Sequence, residues 1–219
     1  MNLSAMNLFS QLDCEPTHEE VAPGAVLMRG LALASAGALM AGVEDVARAV
    51  PFQHMTTPGG FRMSVAMTSC GGLGWVSDGT GNGYSAGEPE RKRPWPGMPG
   101  GFLSLARDAA REAGYAEFEP DTCLINRYEA GAKLSLHQDR HERDLSQPIV
   151  SVSLGLSAVF LFGGFERGDK ARRILLEHGD VVVWGGASRL RFHGVLPLKP
   201  GMHPVTGCFR FNLTFRRVR

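Results

Sequence analysis

From Thr122 to the C-terminus, apolar and polar residues alternate in short runs broken by glycine, proline and acidic residues. Successive side chains of an extended segment point to opposite faces, so a period of two predicts half-buried strands. Runs at 122–128, 134–138, 149–155, 158–162, 173–177, 180–185, 190–196 and 208–216 fit this pattern. The last is the clearest, with Phe209, Phe211, Leu213 and Phe215 on one face and Arg210, Asn212, Thr214 and Arg216 on the other. Alone, it would read as an edge strand with a solvated polar face. Short strands at this spacing predict a mainly β protein with flanking helices (α+β), arranged as a double-sheet barrel.

The N-terminal half reads differently. Ser35 to Val50 carries Leu39, Val43, Val46 and Val50 on one helical face, and Pro51 stops it. Pro99 to Gly114 predicts a second helix, opening at proline and closing at glycine. Residues 56–100 are rich in glycine and proline around a strand-like run, Phe61 to Thr68, and predict a mobile excursion of the kind that covers a substrate. Residues 1–20 show no periodicity and predict a mobile tail. The remainder, 21–219, reads as a single domain.

Composition narrows the picture. A chain of 219 residues with 43% hydrophobic content supports one well-buried core. The net charge of +1 gives no global cationic field, so a nucleic-acid partner would need a local patch. Candidates are Arg91-Lys-Arg93, Arg140 with Arg143, Lys170 to Arg173, and Arg216-Arg217-Val-Arg219, although such runs are commonly solvated faces. Cys14, Cys70, Cys123 and Cys208 lack the spacing of a zinc site or a disulfide framework, which fits a reducing compartment. The Ala-rich stretch Gly30 to Val43 is too short to span a bilayer, and Met1 to Ser10 lacks the features of a signal peptide. The expectation is a cytoplasmic, monomeric protein without a membrane partner.

The chemistry lies in His137-Gln-Asp139 and His193. Two residues apart on an extended segment, His137 and Asp139 point the same way. Joined by a distant imidazole, they supply one face of an octahedral metal and leave the other open, as in the two-His-one-carboxylate sites of non-haem Fe(II) oxygenases. The third ligand needs choosing. His18, His54, His178 and His203 fall in the tail, near a helix end, in a turn and in a loop. His141 would require three consecutive same-face side chains, about 6.5–7 Å apart, to surround one ion. His193 follows Leu190-Arg-Phe192, a strand able to sit across the barrel from His137. The predicted ligands are therefore His137, Asp139 and His193, with His141 a pocket residue. Asn126 and Tyr128 repeat the i, i+2 geometry upstream. With Arg210, Asn212 and Arg216 they form a set of donors suited to a small dicarboxylate, in which arginine supplies the planar fork.

These segments, with Val150-Ser-Val-Ser-Leu-Gly-Leu156, Leu176-Glu-His-Gly-Asp-Val-Val-Val-Trp184, Thr57-Pro-Gly-Gly60, Met63-Ser-Val-Ala-Met67, Leu73-Gly-Trp75 and Pro94-Trp-Pro96, resemble the AlkB family of Fe(II)/2-oxoglutarate-dependent dioxygenases, of the bacterial alkylation-repair type. The resemblance runs from about residue 21 to the end. It implies a double-stranded β-helix (jelly-roll) barrel with N-terminal helices and a Gly-rich nucleotide-recognition lid. It implies Fe(II) at His137, Asp139 and His193, with 2-oxoglutarate and O2 as co-substrates. Arg210, Tyr128 and Asn212 would hold the distal carboxylate of 2-oxoglutarate, with Asn126 and Arg216 near the metal-bound end. The activity implied is oxidative dealkylation of N-alkylated bases such as 1-methyladenine and 3-methylcytosine, preferably in single-stranded DNA, with RNA left open. Trp75 would sandwich the base against His137, and Tyr84, His141 and Arg167 match substrate-contacting positions. Asn82 and His141 depart from the family pattern, which has a tyrosine and an aspartate there. Two other readings stay open: an oxygenase of a small molecule or protein side chain, and a non-catalytic barrel that binds ligand or nucleic acid. Trp75 argues for a base, and the complete ligand and arginine set argues for catalysis.

Overall fold

The computed structural model describes residues 17–79, 81–89 and 92–219. The N-terminal tail expected over residues 1–20 thus lies outside the described residues as far as residue 16, as does Arg91 of the first basic cluster. In chain order the elements are β1 (His18–Ala22), β2 (Ala25–Met28), α1 (Ala36–Ala49), β3 (Ala66–Gly71), β4 (Gly74–Asp78), β5 (Gly81–Ser85), β6 (Gly87–Glu88), β7 (Arg93–Pro94), α2 (Gly100–Glu112), β8 (Thr122–Tyr128), β9 (Leu134–His137), β10 (Ile149–Gly155), β11 (Ala158–Phe162), β12 (Arg172–Leu176), β13 (Val181–Trp184), β14 (His193–Val195) and β15 (Arg210–Arg216). Seven strands form a major sheet in the order β1-β2-β13-β10-β15-β8-β3, and four form a minor sheet, β12-β11-β14-β9. Neighbours pair antiparallel throughout. The two sheets make a jelly roll, with β4–β5 and β6–β7 as small separate hairpins.

Alternation along the strands sorts the core into two layers. Ile125, Val150, Val152, Leu154, Val181, Val183, Phe211, Leu213 and Phe215 pack against α1 and α2 on the outer face of the major sheet. Leu124, Tyr128, Val182 and Trp184 turn inward, towards Phe160, Phe162, Ile174 and Leu176 of the minor sheet. The helices end where the sequence implies. Pro51 follows α1, and Gly114, at φ +89, lets α2 close with bonds from Gly114 N to Arg111 O and from Tyr115 N to Ala110 O. Among the described residues no helix is long and apolar enough to cross a membrane.

One alternative is excluded and three expectations change. β15 is no edge strand: it lies between β10 and β8, and all seven of its residues are buried, the polar face included. Residues 18–20, expected to belong to a tail, form a strand with 21 and 22. They pair with β2, which in turn pairs with β13, so a non-local partner orders a segment without alternation of its own. The strand expected over Phe61 to Thr68 is displaced to Ala66–Gly71, because residues 56–62 close on themselves through a Thr56–Arg62 bridge. Ala66 to Cys70 are buried on both faces, which erases the period of two. Finally, the last ligand strand covers only 193–195 and is not across the barrel from β9. It pairs with β9 directly, His193 opposite His137.

Candidate active site

The inward polar face of the major sheet and the β9–β14 pair line one cavity of ≈ 580 Å³. Register brings the ligands together: His137 and His193 are cross-strand partners, with ring centroids 4.4 Å apart. Gly194 permits this approach, since a Cβ there would lie 2.6 Å from Leu134 O of β9. Asp139 lies just beyond β9, its Oδ1 3.7 Å from His137 Nε2 and its Oδ2 3.7 Å from His193 Nε2. One ligand atom from each of the three lies within 4.8 Å of the others.

The surroundings fix the protonation states a metal requires. His137 Nδ1 lies 2.9 Å from Ser135 O, and His193 Nδ1 lies 3.0 Å from Arg191 O. A carbonyl can only accept, so each Nδ1 bears a hydrogen, and Nε2 is the ring atom left to face the site. Burial, followed by the neighbouring His193, lowers the pKa of His137 to about 4, so its imidazole is neutral at neutral pH. Burial alone would raise the pKa of Asp139, but Arg216 and the two histidines hold it well below the usual carboxylate range. Arg216 donates to Asp139 Oδ2 from Nε (2.8 Å) and Nη2 (2.6 Å). Two imidazoles and one carboxylate, converging on one point among the described residues, fit a divalent iron.

Beside the triad, buried donors are left without partners. Arg210 is 1% exposed; its Nη2 donates to Ser153 Oγ at 2.9 Å, while Nε and Nη1 have no partner. Its guanidinium lies over the ring of Tyr128, its register partner, 4.9 Å from the centroid. Arg216 Nη1 is likewise unpartnered. A buried donor without an acceptor costs about 1–3 kcal/mol, so these three donor nitrogens fit an anionic, multidentate guest. Asn212 also lines the cavity, with its polar atoms engaged by the sheet. Its amide N–H groups go to Ser151 Oγ and Val152 O, and its oxygen accepts from Asn126 and Thr214, so the side chain is already satisfied.

The residues expected to meet the substrate divide. Trp75, His141 and Arg167 line the cavity together with His137, and the Trp75 and His141 rings stand 5.3 Å apart, edge to face. Asn82 also lines it. Tyr84 does not: its ring packs edge-on against Trp75 and its hydroxyl donates to Glu142 Oε1 at 2.6 Å. Burial, above all, and nearby carboxylates raise the pKa of that phenol, which keeps it an O–H donor. Sequence reasoning missed Glu142 and Arg189, a buried ion pair at 3.0 Å whose guanidinium also donates to the backbone oxygen of Asp139. Nothing in the local pattern marks either residue. Ser151 and Ser153 were also missed, although their alternation with Val150, Val152 and Leu154 was a usable signal.

A jelly roll with a facial His–Asp–His triad beside an arginine-lined pocket defines the class of metal-dependent, oxo-acid-using oxygenases. Residues 24–216 match the 2OG-Fe(II) oxygenase superfamily. The alpha-ketoglutarate-dependent dioxygenase AlkB of Salmonella typhimurium is 57% identical over 213 residues, 97% of this chain and 98% of that protein. The solved structure of OsALKBH1 superposes with a TM-score of 0.79 at 29% identity, covering 92% of this chain and all of the other. A mouse protein named nucleic acid dioxygenase ALKBH1 is 34% identical over 111 residues, 51% of this chain and 28% of its own length. The chain belongs to the AlkB family of 2OG-Fe(II) oxygenases. It is a dioxygenase that uses Fe(II), 2-oxoglutarate and O2.

Proposed function

We propose that this protein removes alkyl groups oxidatively from N-alkylated nucleobases such as 1-methyladenine and 3-methylcytosine, preferably in single-stranded DNA, in the cytoplasm and as a monomer. The observation that carries the reading is Trp75, a half-buried aromatic that shares one cavity with the triad. A base can reach a buried metal only by leaving its stack, and an aromatic face replaces the stacking it loses. Exposed Arg62, Lys133 and Arg167 line the same cavity and suit flanking phosphates. The name of the mouse relative is in keeping with such a substrate. Cys70, Cys123 and Cys208 are free thiols, as a reducing compartment requires.

In this reading His137, Asp139 and His193 hold Fe(II), which with O2 and 2-oxoglutarate supplies hydroxylation of the N-alkyl carbon, yielding succinate, CO2 and an adduct that sheds its aldehyde. The remaining work belongs to the chain. Arg210 orients one carboxylate of the co-substrate, with Tyr128 beneath its guanidinium. Arg216 keeps Asp139 ionised and turned inward. Trp75 and the imidazoles of His137 and His141 hold the base, and the apolar walls around Phe160 and Trp184 exclude water.

The test measures aldehyde and succinate with matched methylated single-stranded DNA, duplex DNA, RNA and free nucleoside. Aldehyde should form fastest on single-stranded DNA. Trp75→Ala should lower kcat/KM for the oligonucleotide roughly 5- to 150-fold, the equivalent of about 1–3 kcal/mol of stacking. Equal turnover of the free nucleoside, or a Trp75→Ala variant with wild-type kcat/KM, would favour a small-molecule hydroxylase instead.

A further inference from the structure

We infer that Glu142 is a positioning residue that ties the aromatic platform for the substrate to the loop carrying the iron ligand Asp139. The inference rests on the nucleobase reading above. Three separate segments meet at this one carboxylate. From the β4–β5 hairpin, Tyr84 donates to Oε1 at 2.6 Å. From the segment after β13, Arg189 donates to Oε2 at 3.0 Å. From β15, Arg216 Nε lies 3.5 Å from Oε1 while also gripping Asp139. Glu142 itself follows Asp139 by three residues, so the hub and the ligand share one loop.

The connections continue in both directions. Tyr84 is the cross-strand partner of Trp75, and their rings touch edge to face with centroids 5.2 Å apart. Arg189 donates from Nη1 to Asp139 O at 2.7 Å and from Nε to Gln147 O at 2.8 Å, clamping both ends of the loop. The side chains of Glu142 and Arg189 are 1% and 3% exposed, so water cannot take the place of these contacts. Beside the direct edge-to-face contact of Trp75 with His141, a polar route from Trp75 to Asp139 therefore runs through Tyr84, Glu142 and Arg189 with a contact at every step. The hairpin also meets β3 through Trp75 N–H to Ser69 Oγ at 3.3 Å, but that contact fixes it to the major sheet, whereas the Glu142 link fixes it to the ligand loop and so sets where the reacting carbon lies.

What this linkage controls is the alignment of the base with the metal, not whether the metal turns over. Its signature is therefore the aldehyde released per succinate formed. The experiment uses the Fe(II)-loaded full-length protein with 2-oxoglutarate, a methylated single-stranded oligonucleotide and ascorbate, the reductant that supplies the two electrons of each turnover in which the alkyl carbon is missed, comparing wild type, Tyr84→Phe, Glu142→Gln and the double variant. Tyr84→Phe keeps the ring against Trp75 and removes only the hydroxyl. It should lower the aldehyde-to-succinate ratio by about tenfold, the scale of one hydrogen bond to a charged group. Glu142→Gln should lower the ratio similarly, and the double variant no further, because both substitutions cut the same link. Glu142→Gln also loosens a buried ion pair and can reduce the folded yield, so Tyr84→Phe carries the test alone if needed. A merely structural role would reduce both products in proportion and leave the ratio at its wild-type value. An unchanged ratio in Tyr84→Phe, or multiplying losses in the double variant, would overturn the inference. Wild-type protein that releases no aldehyde from any methylated oligonucleotide would instead remove the nucleobase reading, and the linkage stated for it.

Discussion

Replacing Arg210 by lysine keeps a positive charge at the base of the cavity but removes the fork. Arg210 is fully enclosed, with one nitrogen spent on Ser153 and two, Nε and Nη1, lacking acceptors. Those two lie on opposite sides of Nη2, so each stands ready to take an oxygen of 2-oxoglutarate, and the planar fork keeps Nη2 on Ser153 while they do. Lysine offers a single point of contact on a flexible stem, so at least one charge-assisted bond is lost. That loss is worth about 1.5–3 kcal/mol, or roughly a 10- to 150-fold rise in KM for 2-oxoglutarate. The KM for the oligonucleotide should move far less, because Trp75 and the exposed basic residues are untouched. Steady-state succinate formation, titrated separately in 2-oxoglutarate and in oligonucleotide, checks both numbers. An unchanged KM for 2-oxoglutarate would show that the unpartnered donors serve something else. A corollary follows for the ligand-free protein: Arg210→Met removes two unsatisfied donors from the interior, so thermal stability should hold or rise while 2-oxoglutarate binding disappears. A steep fall in Tm would contradict this account of Arg210.

Four further outcomes are expected. His137→Ala, Asp139→Ala and His193→Ala should each abolish turnover and iron binding, whereas His178→Ala and His203→Ala, a ring pair away from the cavity lining, should retain most activity; activity surviving in His193→Ala would refute the ligand set. Gly194→Ala should force β14 off β9, destabilise the fold by about 1–3 kcal/mol and weaken iron binding, both readable by thermal melts with and without metal. His137 titrates near 4 in the folded protein and near 6.5 when unfolded, so between these values the unfolded chain binds more protons and stability rises with pH. The metal-free protein should then lose stability as pH falls from about 6.5 to about 4, less so in His137→Gln; urea midpoints that drop equally in both would exclude His137 as the cause. His141→Asp should raise kcat/KM for cationic relative to neutral lesions by supplying a carboxylate at the cavity, and an unchanged ratio would mean that the side chain does not face the base.

The alternation in 208–216 marked a strand, its two faces and its chemistry, and the tripeptide His137-Gln-Asp139 marked most of the metal site. Those features are local: period two follows from backbone geometry, and two ligands two residues apart need no knowledge of the rest of the chain. Both helices were legible for the same reason, down to Gly114 at the end of α2. The alternation of β15 by itself could not say where its polar face points, and the inward reading came from matching it with Asn126, Tyr128 and the metal tripeptide. A row of arginine, asparagine and threonine suits solvent as well as it suits a cavity, and only the insertion of β15 between β10 and β8 decides for the interior. The placement of His193 was equally a matter of pairing: opposite His137 on the neighbouring strand, not across the barrel. β1 and β2 carry no periodic signal because their order comes from β13, more than a hundred residues away. Glu142, Arg189 and Tyr84 form the extreme case. An Asp139-Arg-His-Glu142 segment reads as a charged loop, and a glutamate can be buried there only because a guanidinium and a phenol arrive from two other parts of the chain. Sequence alone determined the elements and the chemical inventory, since these depend on residues near one another along the chain. The tertiary structure decided which polar groups are buried, and with whom, since the cost of burying a charge depends on partners that only folding brings together.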